Sequence, residues 1–367
     1  VAKLINSIGC IGNYKGSNIR NIFLQNITIQ GNYYIGALLG KTTSGICEQI
    51  EGNYITIEAT GDNIGGIIGR IEDSGGTYRF ANIQIQNANI TGRNNVGGVI
   101  GFGMGNLTTL KSEIQGKDQV GGVFGVKSYS YTTYGDNVKH TYYITEDSNV
   151  TGNGSYVGGI AGSSNYMQHM KVKNTTIQNN SNKGLSTGGI TGYSGGAIGY
   201  AEVELTQVIS NGSNVGGLVG YSGHLVSHSF SKNCLVEGYS NVGGIVGKHK
   251  VLSIYSNYNQ SEIRAIGYGA GGIVGDLENI GMTAALNTSS IFMNYVISDM
   301  ITAPSKVGGI IGTIEEDLYT AKDFYYNNYI EANLRSDDEL VSLGIGGRKD
   351  QNIYLKNTYY YKYSTIN

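Results

Sequence analysis

Five histidines are the first side chains in this sequence whose chemistry could involve a metal ion or proton transfer: His140, His169, His224, His228 and His249. His224 and His228 are four residues apart, a spacing that on a helix would place two metal ligands on one face. They lie in the stretch 223–229, whose composition is typical of a strand, so we predict structural roles for both. His249, flanked by two lysines, is predicted to be a solvated turn residue.

Two short acidic runs are the other candidates for chemistry, because glycosidases need two carboxyl groups within roughly 5–9.5 Å of each other. The runs are 315–317 and 337–339, each of three consecutive acidic residues in loop-like sequence. Consecutive acids of this kind are typical of a solvated loop.

Cys10, Cys47 and Cys234 are too few and too far apart to indicate a disulfide framework or a zinc site. We therefore predict no catalytic residue, no metal site and no cofactor.

Tyrosines, of which the chain has 29, are the candidate residues for binding a partner. Rigid amphipathic rings contribute contact area at low entropic cost, which suits protein and sugar surfaces. The alternative is that the tyrosines cover turns and sheet faces of the protein itself. One group, which we take as candidate interaction residues, comprises Tyr129, Tyr131, Tyr134, Tyr142 and Tyr143, and a second comprises Tyr359, Tyr360, Tyr361 and Tyr363.

Charge and hydropathy exclude several classes of protein. The net charge of −2 and the pI near 6.2 argue against nucleic-acid binding, which needs a concentrated basic face. No apolar stretch approaches the ~18 residues of a membrane-spanning segment, so we predict no membrane insertion. The first ten residues lack the basic start and apolar run of a secretory signal. The low cysteine content fits either the cytosol or a bacterial exterior.

The elements that would position any such site come from a repeated hexapeptide of the form apolar–Gly–Gly–aliphatic–apolar–Gly. Its ten copies occupy residues 35–40, 64–69, 96–101, 120–125, 157–162, 187–192, 215–220, 242–247, 270–275 and 307–312. The first glycines are 29, 32, 24, 37, 30, 28, 27, 28 and 37 residues apart. Repeats of this period indicate stacked units, none of which buries its own apolar face. We predict that the glycines form the structural repeat: Gly65, Gly66, Gly69, Gly97, Gly98, Gly101, Gly121, Gly122, Gly125, Gly158, Gly159, Gly162, Gly216, Gly217, Gly220, Gly243, Gly244 and Gly247.

Between the hexapeptides, apolar residues alternate around an asparagine, as in 22–31 and 83–92. The period of two and the β-branched residues predict short strands, and asparagine tolerates the positive φ of a turn. Asn26, Asn87, Asn174, Asn294, Asn327 and Asn357 are predicted at such breaks. Three strands in a repeat of about 30 residues predict an all-β, right-handed parallel β-helix of about eleven coils, roughly 50 Å long.

We predict one β-helix domain over residues 1–367, with the repeats at 35–312 and less regular ends at 1–34 and 313–367. The two longest spacings predict loops over 126–149 and 276–305 that project from the rod. Position four of the hexapeptide is always Leu, Ile or Val and should face inward. Under strict alternation positions one and five would then form an exposed apolar stripe for docking. Alternatively, the Gly–Gly pair bends the strand so that positions one and four both reach the core.

The hexapeptides resemble the GLUG motif, a glycine-rich repeat. Residues 217–220 match its Gly–Leu–apolar–Gly core to the letter, and residues 244–247 match it conservatively. Ala37 replaces the second glycine of the first copy, and Thr187 and Ala270 replace the leading valine of two others. The resemblance implies a secreted or cell-wall-attached bacterial protein, such as an adhesin or the N-terminal region of an immunoglobulin-A1-cleaving zinc metallopeptidase. The His-Glu-x-x-His signature of such peptidases is absent from this sequence.

The leading hypothesis is a non-catalytic spacer and interaction domain that contacts a host glycoprotein or carbohydrate, or neighbouring domains of its own polypeptide. A second hypothesis is a β-helical carbohydrate-active enzyme, a lyase or glycosidase, with its site near residues 126–149. A third is a structural protein that self-associates end to end, because uncapped β-helix ends expose unpaired backbone groups.

Overall fold

The computed structural model describes residues 7–16, 18–72, 78–128, 142–183, 185–250, 253–278, 290–314, 324–337, 341–342, 355–356 and 359–360. Across these ranges the chain forms strands and no helix. The strands of the first third are β1 Ile11–Tyr14, β2 Asn18–Gly31, β3 Leu39–Thr42, β4 Gly45–Ala59, β5 Ile64–Gly65, β6 Ile68–Ile71, β7 Tyr78–Gln86, β8 Asn89–Thr91, β9 Asn94–Gly97, β10 Ile100–Gly103, β11 Leu107–Leu110, β12 Glu113–Gly116, β13 Asp118–Gly121 and β14 Phe124–Lys127.

The strands of the middle third are β15 Tyr143–Glu146, β16 Asn149–Gly152, β17 Tyr156–Gly158, β18 Ala161–Ser164, β19 Met167–Lys173, β20 Thr176–Asn179, β21 Ser186–Gly188, β22 Thr191–Ser194, β23 Ile198–Glu204, β24 Gln207–Ser210, β25 Val215–Gly216, β26 Val219–Ser222, β27 Val226–Ser227 and β28 Phe230–Gly243. Those of the last third are β29 Val246–His249, β30 Ile254–Tyr255, β31 Tyr258–Gly271, β32 Val274–Leu277, β33 Ser290–Phe292, β34 Tyr295–Ala303, β35 Val307–Gly308, β36 Ile311–Ile314, β37 Phe324–Tyr326, β38 Tyr329–Ser336, β39 Val341–Ser342, β40 Leu355–Lys356 and β41 Tyr359–Tyr360.

These strands pair in parallel, each with its counterpart in the neighbouring repeats. Val219 lies beside Val246, which lies beside Val274 in the next repeat. One sheet contains 11 strands in the order β1-β3-β6-β10-β14-β18-β22-β26-β29-β32-β36, and a second contains the other 30. The predicted all-β fold with parallel strands is thereby confirmed.

The glycine pair of each hexapeptide bends the chain. In the seventh copy, strand β25 ends at Gly216, the chain bends at Gly217 and Leu218, and β26 begins at Val219. Val215, Leu218 and Val219 are all 0% exposed, and positions one, four and five are likewise buried in every other copy. The bend therefore turns both ends of the hexapeptide toward the core, as the second interpretation predicts. The predicted apolar docking stripe is wrong.

Nine of the ten copies have glycine at position three of the hexapeptide, where successive bends lie in backbone contact, and the first copy has Ala37 there. The Gly217 amide donates a hydrogen bond to the Gly243 carbonyl oxygen at 3.0 Å. A Cβ atom on Gly217 would overlap the Gly244 carbonyl oxygen and would approach the Ser231 hydroxyl oxygen to 2.6 Å. The eighteen predicted repeat glycines are all buried.

Three buried asparagines stabilise the turn before the strands that begin at Tyr258, Tyr295 and Tyr329. The side-chain oxygen of Asn294 accepts from the backbone amide of Asn257 at 3.1 Å, and that of Asn328 accepts from the amide of Asn294 at 3.0 Å. Ser229 donates its amide to Asn257 in the same way. Each such bond contributes about 1 kcal/mol, and an unpaired buried amide would cost more.

The predicted asparagine breaks are mostly confirmed. Asn26, Asn87 and Asn174 have φ of 54°, 52° and 46°, and Asn327 has φ of 54°. Asn294 also lies at a turn, but it is buried and is one of the three hydrogen-bonded asparagines described above. Asn357 lies outside the described residues.

Two other predictions need correction. The ranges 126–149 and 276–305 are not simply loops, because they contain strands β15, β33 and β34. Residues 129–141 and 279–289 of these ranges lie outside the described residues. His249 is not a solvated turn residue: it is 0% exposed on β29, in register with Ser222 and Leu277. Those two residues are also buried, so this position of the sheet faces inward.

We predict that Gly217→Ala destabilises the protein by about 2 kcal/mol or more, because overpacking against a rigid backbone forces the bends apart. Gly223→Ala is the matched control, since its Cβ would meet only the Ser194 carbonyl oxygen at 3.7 Å. That change should stay within about 0.5 kcal/mol of the parent. Urea unfolding followed by circular dichroism measures both. Equal stability of the two variants would contradict the stacked-bend geometry.

The three free cysteines should differ in reactivity. Cys47 and Cys234 are buried, and burial raises the pKa of the Cys47 thiol to about 12 and raises that of Cys234 as well. Cys10 is exposed. Since the thiolate is the reactive species, a thiol reagent should titrate one cysteine in the native protein and all three after unfolding. Rapid native labelling of Cys47 would contradict this packing.

Candidate interaction surface

Six aromatic rings lie at or next to the same turn of successive repeats and contact one another in order. We call this set the aromatic ladder. Neighbouring ring centroids are 5.8, 5.1, 5.2, 5.3 and 4.9 Å apart. Three of the five contacts are stacked, one is tilted and one is edge-on. The ladder runs Tyr142, His169, Tyr200, His228, Tyr255 and Phe292.

Strand register places these rings above one another. Met170 pairs with Ala201, so the preceding residues His169 and Tyr200 occupy the same turn of adjacent repeats. His169, Tyr200 and His228 have φ of 57°, 53° and 51°. In the first repeats this turn holds Asn21, Gln49 and Asn82, also at positive φ.

Bulky residues at positive φ are uncommon, and such backbone costs of order 1–3 kcal/mol unless its surroundings compensate. Ring stacking supplies about 0.5–1.5 kcal/mol per pair. In the first repeats asparagine occupies this turn at Asn21 and Asn82 without any ring. The tyrosines and histidines at this turn therefore indicate a role for the rings themselves at the protein surface.

The ladder is accessible to a partner. Tyr142 and Tyr200 are 49% and 47% exposed, and His228 is also exposed. Because neighbouring rings cover one another's faces, the middle of the ladder presents ring edges, which carry hydroxyl and imidazole groups. Burial raises the pKa of the nearby Tyr166, and the neighbouring Tyr200 raises it further. The surface can thus offer both apolar area and hydrogen bonds.

A second set of rings, which we call the aromatic column, follows the ladder closely in the sequence. Phe230 lies two residues after His228, and Tyr258 lies three residues after Tyr255. Its members pair in register across four strands of the sheet. Tyr295 is 53% exposed, and its ring centroid lies 6.0 Å from that of Tyr329. The column comprises Phe230, Tyr258, Tyr295 and Tyr329. Of these four rings only that of Tyr295 is exposed, and the other three are half-buried.

The structure separates the predicted interaction tyrosines. Tyr142 begins the aromatic ladder. Tyr143, the next residue, is buried in the core, edge-on to Phe124 at 5.6 Å, so it offers no surface. Tyr129, Tyr131 and Tyr134 lie outside the described residues.

The histidine and acid candidates do not form one site among the described residues. His228 belongs to the aromatic ladder, whereas His224 is half-buried and lies outside it. The acidic run 315–317 lies outside the described residues, as do two of the three residues at 337–339. Within the described part of the chain, no three His, Cys, Asp or Glu side chains gather as a metal site would require.

Sequence reasoning missed most of the ladder. A signal was present, because His169, Tyr200 and His228 follow the first glycine of the preceding hexapeptide by eleven, twelve and twelve residues. Aromatic residues at a fixed distance from a structural repeat stack when the repeats stack. Tyr255 also follows such a glycine by twelve residues, although it lies one residue before the equivalent turn position, whereas Tyr142 and Phe292 each follow theirs by 21 residues.

The chain matches no protein-family profile, no curated protein and no solved structure. No helix among the described residues is long and apolar enough to cross a membrane.

Proposed function

We propose that this chain is a right-handed parallel β-helix of about eleven coils that serves as a non-catalytic spacer and interaction domain. The order of the 11-stranded sheet supports it, because each strand pairs with the equivalent strands of adjacent repeats. Parallel strands joined by crossover connections are right-handed in nearly all proteins. Coils stacked in this way make an extended scaffold whose outer positions recur at ~4.8 Å.

The setting we propose is a secreted or surface-attached bacterial protein, either an adhesin or an accessory region of a metallopeptidase. The support is the GLUG-like hexapeptide, above all residues 217–220. The bend at Gly217 gives that motif a physical role, because the close contact between repeats admits no side chain there.

The single observation that carries the interaction role is the aromatic ladder. His169, Tyr200 and His228 are held at positive φ, although asparagine serves the same turn elsewhere in this chain, and the rings of Tyr142, Tyr200 and His228 are exposed. Ring edges with hydroxyl and imidazole groups suit a partner that offers both apolar and hydrogen-bonding groups. A host glycoprotein is the partner class that we propose.

Binding to an immobilised mucin glycoprotein, measured by surface plasmon resonance, tests this proposal. The variant with Tyr142→Asn, Tyr200→Asn and His228→Asn keeps a residue suited to these turns and removes three rings of the ladder. We expect it to bind at least ten-fold more weakly, since rigid aromatic anchors dominate interface energetics. Tyr54→Asn is the control, because Tyr54 has φ of 54° and is exposed but lies outside the ladder.

Equal binding by the triple variant and the parent protein would remove the ladder from the proposed function. Cleavage of mucin or immunoglobulin A by the purified chain would overturn the non-catalytic assignment.

A second candidate function is end-to-end self-association, which the first long strand favours. Among the described strands β2 pairs only with β4, so one edge of its 14 residues has no strand partner there. Ile22 and Ile27 on β2 are only partly buried, whereas their partners Ile50 and Ile55 on β4 are 1% and 0% exposed. An uncovered edge with apolar side chains is a template for further pairing.

Sedimentation velocity over a range of concentrations tests this second candidate. We expect concentration-dependent association that Ile27→Lys reduces, because a charge at the uncovered edge opposes strand pairing. Gln30→Lys, at an exposed position of the same strand, should have a smaller effect. A single monomeric species at every concentration would exclude self-association.

A further inference from the structure

One amine and two carboxylates meet on the 11-stranded sheet. Lys248 Nζ on β29 lies 3.3 Å from Asp276 Oδ2 on β32 and 3.5 Å from Glu278 Oε2. The Thr313 hydroxyl on β36 donates to Asp276 Oδ1, and the Tyr221 hydroxyl on β26 donates to Glu278 Oε2 at 3.3 Å. We call these five residues the acid–amine cluster.

The cluster is largely removed from water. The side chains of Lys248, Asp276 and Glu278 are 18%, 8% and 24% exposed. Tyr221, which stacks on Tyr193 at 5.6 Å, lies on one side of the cluster. Burial and the nearby Glu278 raise the pKa of Tyr221 to about 12, so the phenol stays protonated and can donate.

Two carboxylates share a single ammonium group, so the fully ionised cluster carries one excess negative charge. A neutral amine beside a neutral carboxylic acid is the reactive combination for amide formation. It differs from the ion pair by the transfer of one proton from Nζ to Asp276, and Glu278 lies 3.5 Å from Nζ, where it can carry that proton.

Another lysine at the same sheet position lacks this imbalance. Lys41 Nζ lies 2.8 Å from Glu72 Oε2, and Arg70 Nε lies 3.5 Å from the other oxygen of Glu72. Two cations there face one carboxylate, and all three side chains are more exposed than those of Lys248 and Asp276. Lys41 and Glu72 thus form an ordinary ion pair and provide an internal control.

We propose that Lys248 and Asp276 form an intramolecular isopeptide bond, with Glu278 as the group that transfers the protons. The bond would join neighbouring repeats covalently across β29 and β32. This proposal is independent of the interaction role of the aromatic ladder.

The reaction balances without any external reagent. Glu278 passes one proton from Nζ to Asp276 Oδ2, and the neutral amine attacks Cγ of the resulting carboxylic acid. Thr313 donates to Oδ1, which becomes the amide oxygen, and so stabilises negative charge on it during attack. Glu278 then takes a second proton from the attacking nitrogen and passes it to Oδ2, which leaves as water when the C–O bond breaks. One ammonium and one carboxylate become one secondary amide and one water. The fixed contact of 3.3 Å supplies the proximity that this step needs.

Intact-mass spectrometry of the purified full chain tests the proposal. We expect the mass to fall below the sequence value by that of one water molecule, and tryptic mapping to recover one branched peptide that joins the Lys248 and Asp276 segments. Lys248→Arg and Glu278→Gln should each restore the full mass. Lys41→Arg should leave the loss of water unchanged.

A full sequence mass in the parent chain after prolonged incubation would overturn the proposal. So would a loss of water that persists in Lys248→Arg, because it would then arise elsewhere in the chain. The mapping of the parent chain needs no variant, so the isopeptide bond can be tested even where a variant fails to fold.

Discussion

The carbonyl oxygens of successive glycine bends occupy the space in which a Cβ atom would otherwise lie, and this close approach sets the distance between repeats. The Gly217 amide bonds to Gly243, and the Gly244 amide bonds to Gly271 one repeat later. Because backbone meets backbone at each bend, the repeats cannot separate without losing these bonds, and a Cβ atom on Gly217 or Gly244 would overlap a carbonyl oxygen of the next repeat. The bend also turns positions one, four and five inward, which creates the aliphatic core.

The same spacing organises the outer surface. Side chains at equivalent positions lie one strand apart, so rings stack as in the aromatic ladder and charges meet as in the acid–amine cluster. Inside, that spacing lets one asparagine side chain bond to the backbone of the preceding repeat. Function on such a scaffold depends on which residue stands at each repeated position, because the backbone is nearly constant from repeat to repeat.

Much of this could be predicted from the sequence. The hexapeptide period indicated the parallel pairing, and the asparagines at 26, 87 and 174 marked turns that have positive φ. Strict alternation failed at the Gly–Gly pair because a bend, unlike a strand, puts residues one and four on the same side. His249 was misassigned because its flanking lysines suggested solvent, whereas its register with Ser222 and Leu277 buries it.

The candidate surface was harder to predict than the fold. Tyr142 and Tyr143 are adjacent in the sequence, but one begins the ladder and the other packs against Phe124. Only the register decides between them. The acid–amine cluster could not be predicted either, because its residues come from four successive repeats and only the strand register brings them together.

The most direct test of the account is a distance between spin labels at Gln30 and Arg335, measured by electron–electron double resonance. These exposed residues belong to one column of ten successive pairings, through residues 58, 91, 115, 151, 178, 209, 237, 264 and 302. If the repeats stack along one axis, the labels should be about 48 Å apart, at ~4.8 Å per pairing. Labels at residues 30 and 178 should be about half as far apart, since five pairings separate them. A distance that does not grow with the number of repeats would contradict the stacked arrangement.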